Sequence, residues 1–255
     1  MGSDRHLVRT DILGVQVSAI DIPRAVGTIE RWINTNQREY VCVTGVHGVM
    51  ESQKDKELRE IHNRAGMVTP DGMPLVFLSR WYGHRDVQRV YGPDLMIELC
   101  RRSLETGWRH FFYGGAAGVA DILVERLSER FEGLSVAGTY CPPFRPLSEE
   151  EEGDVKRIID ESRADIVWVG LSTPKQEQWM SAHVGRLEAS VLIGVGAAFD
   201  FHAGLKPQAP LWMQRSALEW LFRLLTEPRR LWRRYLYNNP RFLYLMIRQM
   251  VRGRS

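Results

Sequence analysis

Residues 164–180 read ADIVWVGLSTPKQEQWM, and the change of character inside that stretch decides the fold. Asp165-Ile166-Val167-Trp168-Val169-Gly170 is an apolar run, rich in β-branched side chains, that stops at a glycine. A short run without polar alternation marks a strand covered on both faces. The chain then turns through Leu171-Ser172-Thr173, where Ser172 or Thr173 is placed to cap. Pro174 suits the first turn of a helix over Lys175–His183.

The alternation continues outward in both directions. Downstream, Ser190-Val191-Leu192-Ile193-Gly194-Val195-Gly196 is another buried strand ending in glycine. Upstream lie a helix over Glu149–Ser162, a strand over Leu134–Thr139 and a helix over Val119–Arg130. Before them, His110-Phe111-Phe112-Tyr113 is a strand closed by Gly114-Gly115. In the first half, Asp21-Ile22-Pro23 opens a helix to about Ile33, and Tyr40–Thr44 is a strand bounded by Gly45. A polar helix over 48–64 follows, then the short strand Met67–Thr69, which ends at Pro70-Asp71-Gly72. Helices start near Met73-Pro74 and after Gly92-Pro93-Asp94. Strands and helices alternating at these lengths predict an α/β, Rossmann-like parallel sheet with helices on both faces.

The end of the chain differs. Pro210–Leu225 reads as one helix, Pro228 interrupts it, and Arg229–Tyr237 reads as a second. Asn238-Asn239-Pro240 then breaks the pattern before a last helix over Arg241–Val251. From Leu211 onward there are ten arginines, no lysine and two acids, a balance of +8 in a chain whose net charge is +3. Eight aromatic rings interleave with those arginines. We therefore expect a Rossmann-like core over 1–208 and a basic, aromatic-rich helical appendage over 209–255 that meets phosphates.

Bulk properties narrow the classes. At 255 residues, 44% hydrophobic and 25% charged, the chain is neither disordered nor too small for a sizeable core. Cys42, Cys100 and Cys141 are far apart and odd in number, which argues against a disulfide framework or structural zinc and for a reducing compartment. The opening MGSDRHLVRTDILG has no apolar leader core, and His6 breaks the myristoylation pattern. No apolar run reaches the roughly 18 residues of a membrane span.

Open parallel sheets bind ligands beyond the carboxyl ends of their strands. Gly114-Gly115 ends a strand and opens a helix, so bare backbone N–H groups can approach a phosphate, although a plain tight turn explains the pair as well. Gly170 through Gln176 is more specific, since Lys175 and Gln176 sit where a helix N-terminus already favours an anion. An ordinary capped helix with a surface lysine remains the alternative. Asp71, on a strand-ending loop beside Gly72, has the placement a general base needs, and equally that of a turn or capping residue. Asp200 and His202, after the last core strand, and His47, after Thr44, carry the same ambiguity between chemistry and capping.

Taken together, TPDGMPLV (69–76), YGPDLM (91–96), FFYGGAAGV (111–119), ADIVWVGLSTPKQEQWM (164–180), GVGAAFDFHAG (194–204) and APLWMQRSALEWLFRLLTEPRRLWRRY (209–235) resemble the WecG/TagA/CpsF family of bacterial glycosyltransferases. The resemblance runs from Thr44–His47 to about Arg230. It implies inverting transfer of a hexose-type sugar from a UDP-sugar to an undecaprenyl-diphosphate-linked saccharide in cell-surface polysaccharide synthesis. It implies no metal and no cofactor, in keeping with the lack of an obvious D-x-D motif. By the resemblance Asp71 is the general base, Lys175 and Gln176 line the donor site, and Gly114, Gly115, Gly170 and Gly196 are donor-loop glycines. Thr44, His47 and Asp200 join the substrate-binding set, and Arg215, Arg223, Arg229 and Arg230 close over phosphates near the membrane. The implied partners are a UDP-sugar, a polyprenyl-diphosphate-linked saccharide and an anionic membrane surface, with no nucleic acid and compatibility with a homo-oligomer. The implied location is cytoplasmic, peripheral at the inner face of the plasma membrane. One departure stands out: many members carry T-x-N where this chain reads Thr44-Gly45-Val46-His47, so His47 stands in for a missing asparagine and donor or acceptor preference shifts with it.

Two other classes compete. A single-strand nucleic-acid binder would use the arginine–aromatic tail but leave the Asp-Gly loop unused. A nicotinamide-dependent dehydrogenase would carry G-x-G-x-x-G after its first strand, and no good copy is present.

Overall fold

The computed structural model describes residues 7–252; the first six residues, with the MGSD opening and His6 considered above, lie outside the described part, as do 253–255. In chain order the first elements are β1 (Arg9–Ile12), β2 (Val15–Ser18), α1 (Ile22–Asn34), β3 (Glu39–Thr44), α2 (Val46–Ser52), α3 (Lys56–Arg64) and β4 (Met67–Pro70). Then come α4 (Met73–Trp81), α5 (Gly92–Thr106), β5 (His110–Gly114), α6 (Val119–Arg130), β6 (Val136–Tyr140), α7 (Glu149–Glu161) and β7 (Ile166–Gly170). The remainder are α8 (Lys175–His183), β8 (Val191–Gly194), α9 (Ala198–His202), α10 (Leu211–Arg215), α11 (Glu219–Thr226) and α12 (Pro228–Arg252). They group into two compact units, one of 22–43 and 91–207, the other of 7–21, 44–90 and 208–252.

The first of these holds five parallel strands in the order β3-β8-β7-β5-β6. Every residue of β5 and β8 is buried, as are the first four of β7. Successive side chains on a strand point to opposite faces, so burial of all of them means helices cover both faces. The architecture is thus the Rossmann-like α/β sheet the alternation predicts. Trp168, Phe111 and Phe112 are 0–1% exposed, and each such ring contributes about 1.5–3 kcal/mol on burial. Polar groups in this core are chained. Trp168 Nε1 donates to His110 Nδ1 at 2.9 Å, so the ring proton sits on Nε2, 2.7 Å from Ser103 Oγ. Burial lowers His110 to about 4, which keeps it neutral. The edge strand β6 is only half-buried along its length.

The other unit opens with the β1–β2 hairpin, in antiparallel register from Arg9↔Ser18 to Ile12↔Val15. Its turn residues Leu13 and Gly14 have φ of 54° and 83°, a conformation glycine adopts freely. Strand β4 is tied in where Val68 N–H donates to Ser18 Oγ at 3.1 Å. Helix α12 is fastened near its end by Gln249, whose Oε1 accepts from Leu13 N at 2.8 Å while its Nε2 donates to Asp11 O at 2.8 Å.

Three sequence expectations change here. The polar helix expected over 48–64 is two helices, because Asp55 caps a new start by accepting from Leu58 N at 3.2 Å. The first tail helix is divided into α10 and α11 around Ala217, which has φ 61°. The break expected at Asn238-Asn239-Pro240 does not occur, and α12 runs through Pro240.

Candidate functional site

In the sheet unit, three strand ends meet. Gly114 of β5 pairs in register with Gly170 of β7, and Gly115 N–H donates to Gly170 O at 3.0 Å. A Cβ on Gly114, where φ is 113°, would lie 2.8 Å from the Gly170 carbonyl carbon, so only glycine lets the two loops close. Val195 and Gly196 follow β8 and donate to Val169 O at 3.0 and 3.4 Å. Gly196 has φ 50°.

Helix α8 starts at these loops, but neither Ser172 nor Thr173 caps it. Its N-cap is Pro174, without a side-chain cap, and Thr173 Oγ1 donates instead to Glu177 Oε1 at 2.9 Å. Gln176 is 3% exposed and Glu177 1%. Gln176 Nε2 donates to the same Glu177 oxygen at 3.0 Å, which turns Gln176 Oε1 away from the carboxylate. That Oε1 lies 3.4 Å from where a Cβ on Gly196 would sit and has no hydrogen-bond partner among the described residues. Gly114, Gly115 and Gly170 thus meet at neighbouring strand ends, and Gly196, after the next strand, lies against the buried Gln176 acceptor. Lys175 is exposed at the first position of α8. Asp200 lies within α9 and pairs with Lys206 at 2.7 Å, so it is neither a helix cap nor free of partners. His202 Nε2 is 3.0 Å from Pro93 O.

In the other unit, Asp71 follows β4. Its N–H donates to Thr44 O at 3.0 Å, with Thr44 itself buried. Arg89 braces it from the other side. Its Nε donates to Asp71 O, its Nη1 to Gln214 Oε1 at 2.9 Å, and its Nη2 pairs with Glu219 and lies 3.8 Å from Asp71 Oδ1. The Asp71 side chain keeps 30% of its surface open, enough for a substrate hydroxyl to reach it. The backbone is pinned and Oδ1 is shielded from water, so the open part of the side chain leaves Oδ2 as the oxygen a hydroxyl would approach.

His47 is the second residue of α2 and is held by Asn238 of α12, whose Nδ2 lies 3.4 Å from His47 Nδ1. Burial, then Arg234, Lys54 and Arg223, lowers His47 to about 3, so its 3.6 Å approach to Glu51 is not an ion pair near neutrality. Arg223 and Arg230 share Glu227, at 4.0 and 2.6 Å. Arg215 and Arg229 are exposed.

The sequence model of the Glycosyl transferase WecG/TagA/CpsF family matches residues 10–255. The chain belongs to that family. It is similar to proteins named N-acetylglucosaminyldiphosphoundecaprenol N-acetyl-beta-D-mannosaminyltransferase. One, from Bacillus spizizenii, is 29% identical over 205 residues, covering 80% of this chain and 77% of the relative. Another, from Staphylococcus aureus, is 27% identical over 241 residues, covering 94% and 92%. This glycosyltransferase thus has relatives of its own length.

Several residues of these sites escaped the sequence reading. Arg89 stands two positions before the quoted YGPDLM block, and nothing local marks it as the brace of a residue 18 positions away. Gln214 and Glu219 complete that brace from inside the quoted tail block. Glu177 was in view within P-K-Q-E, but its partners are visible only in three dimensions.

Proposed function

We propose that this family member is an inverting transferase that moves a hexose-type sugar from a UDP-sugar to an undecaprenyl-diphosphate-linked saccharide in cell-surface polysaccharide synthesis. The match to the family over residues 10–255, with relatives named for transfer to a diphosphoundecaprenol-linked sugar, carries the reading. Asp71 takes the proton of the acceptor hydroxyl as that oxygen attacks the anomeric carbon. The oxygen–carbon bond forms as the bond to the UDP oxygen breaks on the opposite face, so configuration inverts and UDP leaves with the electron pair. The glycine loops at 114–115, 170 and 196 bring backbone close to the donor, and Gln176 Oε1 accepts a hydrogen bond from it. The N-terminus of α8 with Lys175, and the tail arginines Arg215, Arg223, Arg229 and Arg230, offset the charge that develops on the leaving diphosphate. Thr44 fixes the Asp71 loop, and His47, neutral, lines the acceptor side. Asp200, through Lys206, shapes the donor loop.

We further infer that the enzyme works at the inner face of the plasma membrane, as a core over 1–208 with an appendage over 209–255. Among the described residues no helix is long and apolar enough to cross a membrane. Helix α12 nevertheless exposes Leu236, Leu243, Tyr244 and Ile247 at 54–64%, alongside arginines that attract anionic lipid. The deciding experiment is UDP release from a panel of UDP-hexoses, with and without a short-chain polyprenyl-diphosphate saccharide. Release that requires the acceptor supports the reading, and folded protein that releases UDP from no donor contradicts it.

A further inference from the structure

At the start of α8 one amide side chain is held in a single orientation, and it is the wrong one for a phosphate. A Cβ on Gly194 would lie 3.1 Å from Gln176 Nε2, and one on Gly196 would lie 3.4 Å from Gln176 Oε1. The two glycines therefore leave room for the amide and flank its two ends. Gln176 Nε2 donates to Glu177 Oε1 at 3.0 Å, and Thr173 Oγ1 donates to the same oxygen at 2.9 Å. A rotated amide would set its own oxygen against that carboxylate oxygen, two acceptors with no proton between them. Ser172 reaches the same patch. It has φ 65°, a left-handed conformation that a non-glycine residue keeps mostly at functional places, and its Cα lies 4.0 Å from the Cβ position on Gly196.

The consequence is a surplus of acceptors. Gln176 Oε1 and Glu177 Oε2 are both shielded from water with no hydrogen-bond partner among the described residues, and the two side chains are 3% and 1% exposed. A buried acceptor without a proton is costly, so the ligand that completes this place brings hydrogen-bond donors. The diphosphate of a nucleotide sugar has no proton to give, and the carboxylate behind the amide repels it. A hydroxyl or an amide N–H has one. We propose that Glu177 is a positioning residue: it turns the Gln176 oxygen toward Gly196, so that this point of the site takes a hydroxyl or amide N–H of the donor nucleotide sugar and leaves the diphosphate to Lys175 and the glycine loops. This role deepens the donor reading given above and rests on it for the ligand, whereas the hold of Glu177 on the amide does not depend on it. Removing the carboxylate frees the amide to present Nε2, which suits phosphate oxygens. Hydroxyl-bearing and purely phosphate ligands should then respond in opposite directions, a split that a loss of packing does not produce.

Calorimetric titration of the full chain with UDP-N-acetylglucosamine, UDP and inorganic pyrophosphate tests this. Glu177→Leu is expected to weaken the nucleotide sugar about tenfold or more while pyrophosphate binds as well as before or more tightly. Glu177→Gln keeps an acceptor for Gln176 Nε2 and should restore all affinities to within about threefold of the intact protein. Thr173→Val, which removes one of the two donors to Glu177, should weaken the nucleotide sugar about threefold and gives a reading should Glu177→Leu fail to fold. A loss shared by UDP puts the proton donor on the nucleoside, a loss confined to the nucleotide sugar puts it on the hexose, and both uphold the proposal. Equal weakening of pyrophosphate and nucleotide sugar, or no weakening of either, in folded Glu177→Leu would overturn it. Exchange of the Gln176 side-chain amide protons with water, followed by NMR on the unliganded protein, should be about tenfold faster in Glu177→Leu. Equal exchange would show that Glu177 does not hold the amide, whatever nucleotide the enzyme uses. Folded intact protein that binds no uridine nucleotide would contradict the donor reading instead, and the exchange rates would still decide the hold of Glu177.

Discussion

The sheet unit and the last helix solve opposite problems with similar material. Strands β5, β7 and β8 hide aromatic and β-branched side chains almost completely and end in glycines, of which Gly114 and Gly170 touch through their backbones. Helix α12 leaves many of its aromatics and aliphatics half in the open and carries arginines with no acidic residue in its own sequence. The first surface is complete as it stands and tolerates little change. The second leaves apolar and basic side chains open to solvent, and we propose that it meets something outside the chain. Substitutions should therefore be costly for stability at the glycine loops and nearly free on the exposed face of α12.

The largest effect expected is at Gly114. Gly114→Val places a Cβ 2.8 Å from Gly170 at φ 113° and should destabilise by about 3 kcal/mol or more, read as a lower denaturation midpoint. Gly118→Ala, at φ 77° with nothing within 4 Å of its Cβ, should cost only about 1 kcal/mol. Equal costs would break the claim that close approach, rather than glycine as such, matters in these loops. Arg89→Gln comes next. Freeing Asp71 from its brace should lower kcat/KM roughly ten- to a hundredfold while the unfolding midpoint moves far less than for Gly114→Val. A variant with full activity would mean that the loop orders itself.

Acid should then reveal two imidazoles whose charged form the fold disfavours most, the half-buried His47 and the buried His110. His47 and His110 titrate in the folded state near 3 and 4, below the ordinary 6.5, so the unfolded chain takes up protons first. Stability is unaffected by them above about 6.5 and falls as pH drops from there toward 3, by at most about 1.4 kcal/mol per pH unit for each ring. His47→Gln should shallow that slope by less than the full amount, since the ring keeps some contact with water, and an unchanged slope would show that His47 is not held neutral. The smallest effect is on α12, where Leu243→Gln with Ile247→Gln should shift stability by only about 0.5 kcal/mol while weakening sedimentation with anionic vesicles. A large loss of stability would place that face against protein.

Legibility followed the same division. The buried strands and their terminal glycines could be read directly, because complete burial writes an unbroken apolar run and a close approach demands glycine. The tail could not, because a proline only removes an N–H and crowds the preceding turn. At Pro240 the affected carbonyl belongs to Leu236, which is 61% exposed, so water can satisfy it and α12 continues. The β1–β2 hairpin was missed because its turn is Leu13-Gly14 rather than an asparagine–glycine pair. Asp71 was legible as a candidate from its loop, whereas Arg89 and Glu177 act through partners that only folding brings near.

Asp71 is the residue on which the account of transfer turns. Asp71→Asn keeps the N–H to Thr44 O and removes only the proton acceptor. Acceptor-dependent UDP release by this variant should fall about a hundredfold or more while UDP-sugar binding, measured by titration, stays within about twofold. Turnover equal to that of the unmodified enzyme would contradict the assignment of Asp71 as the base.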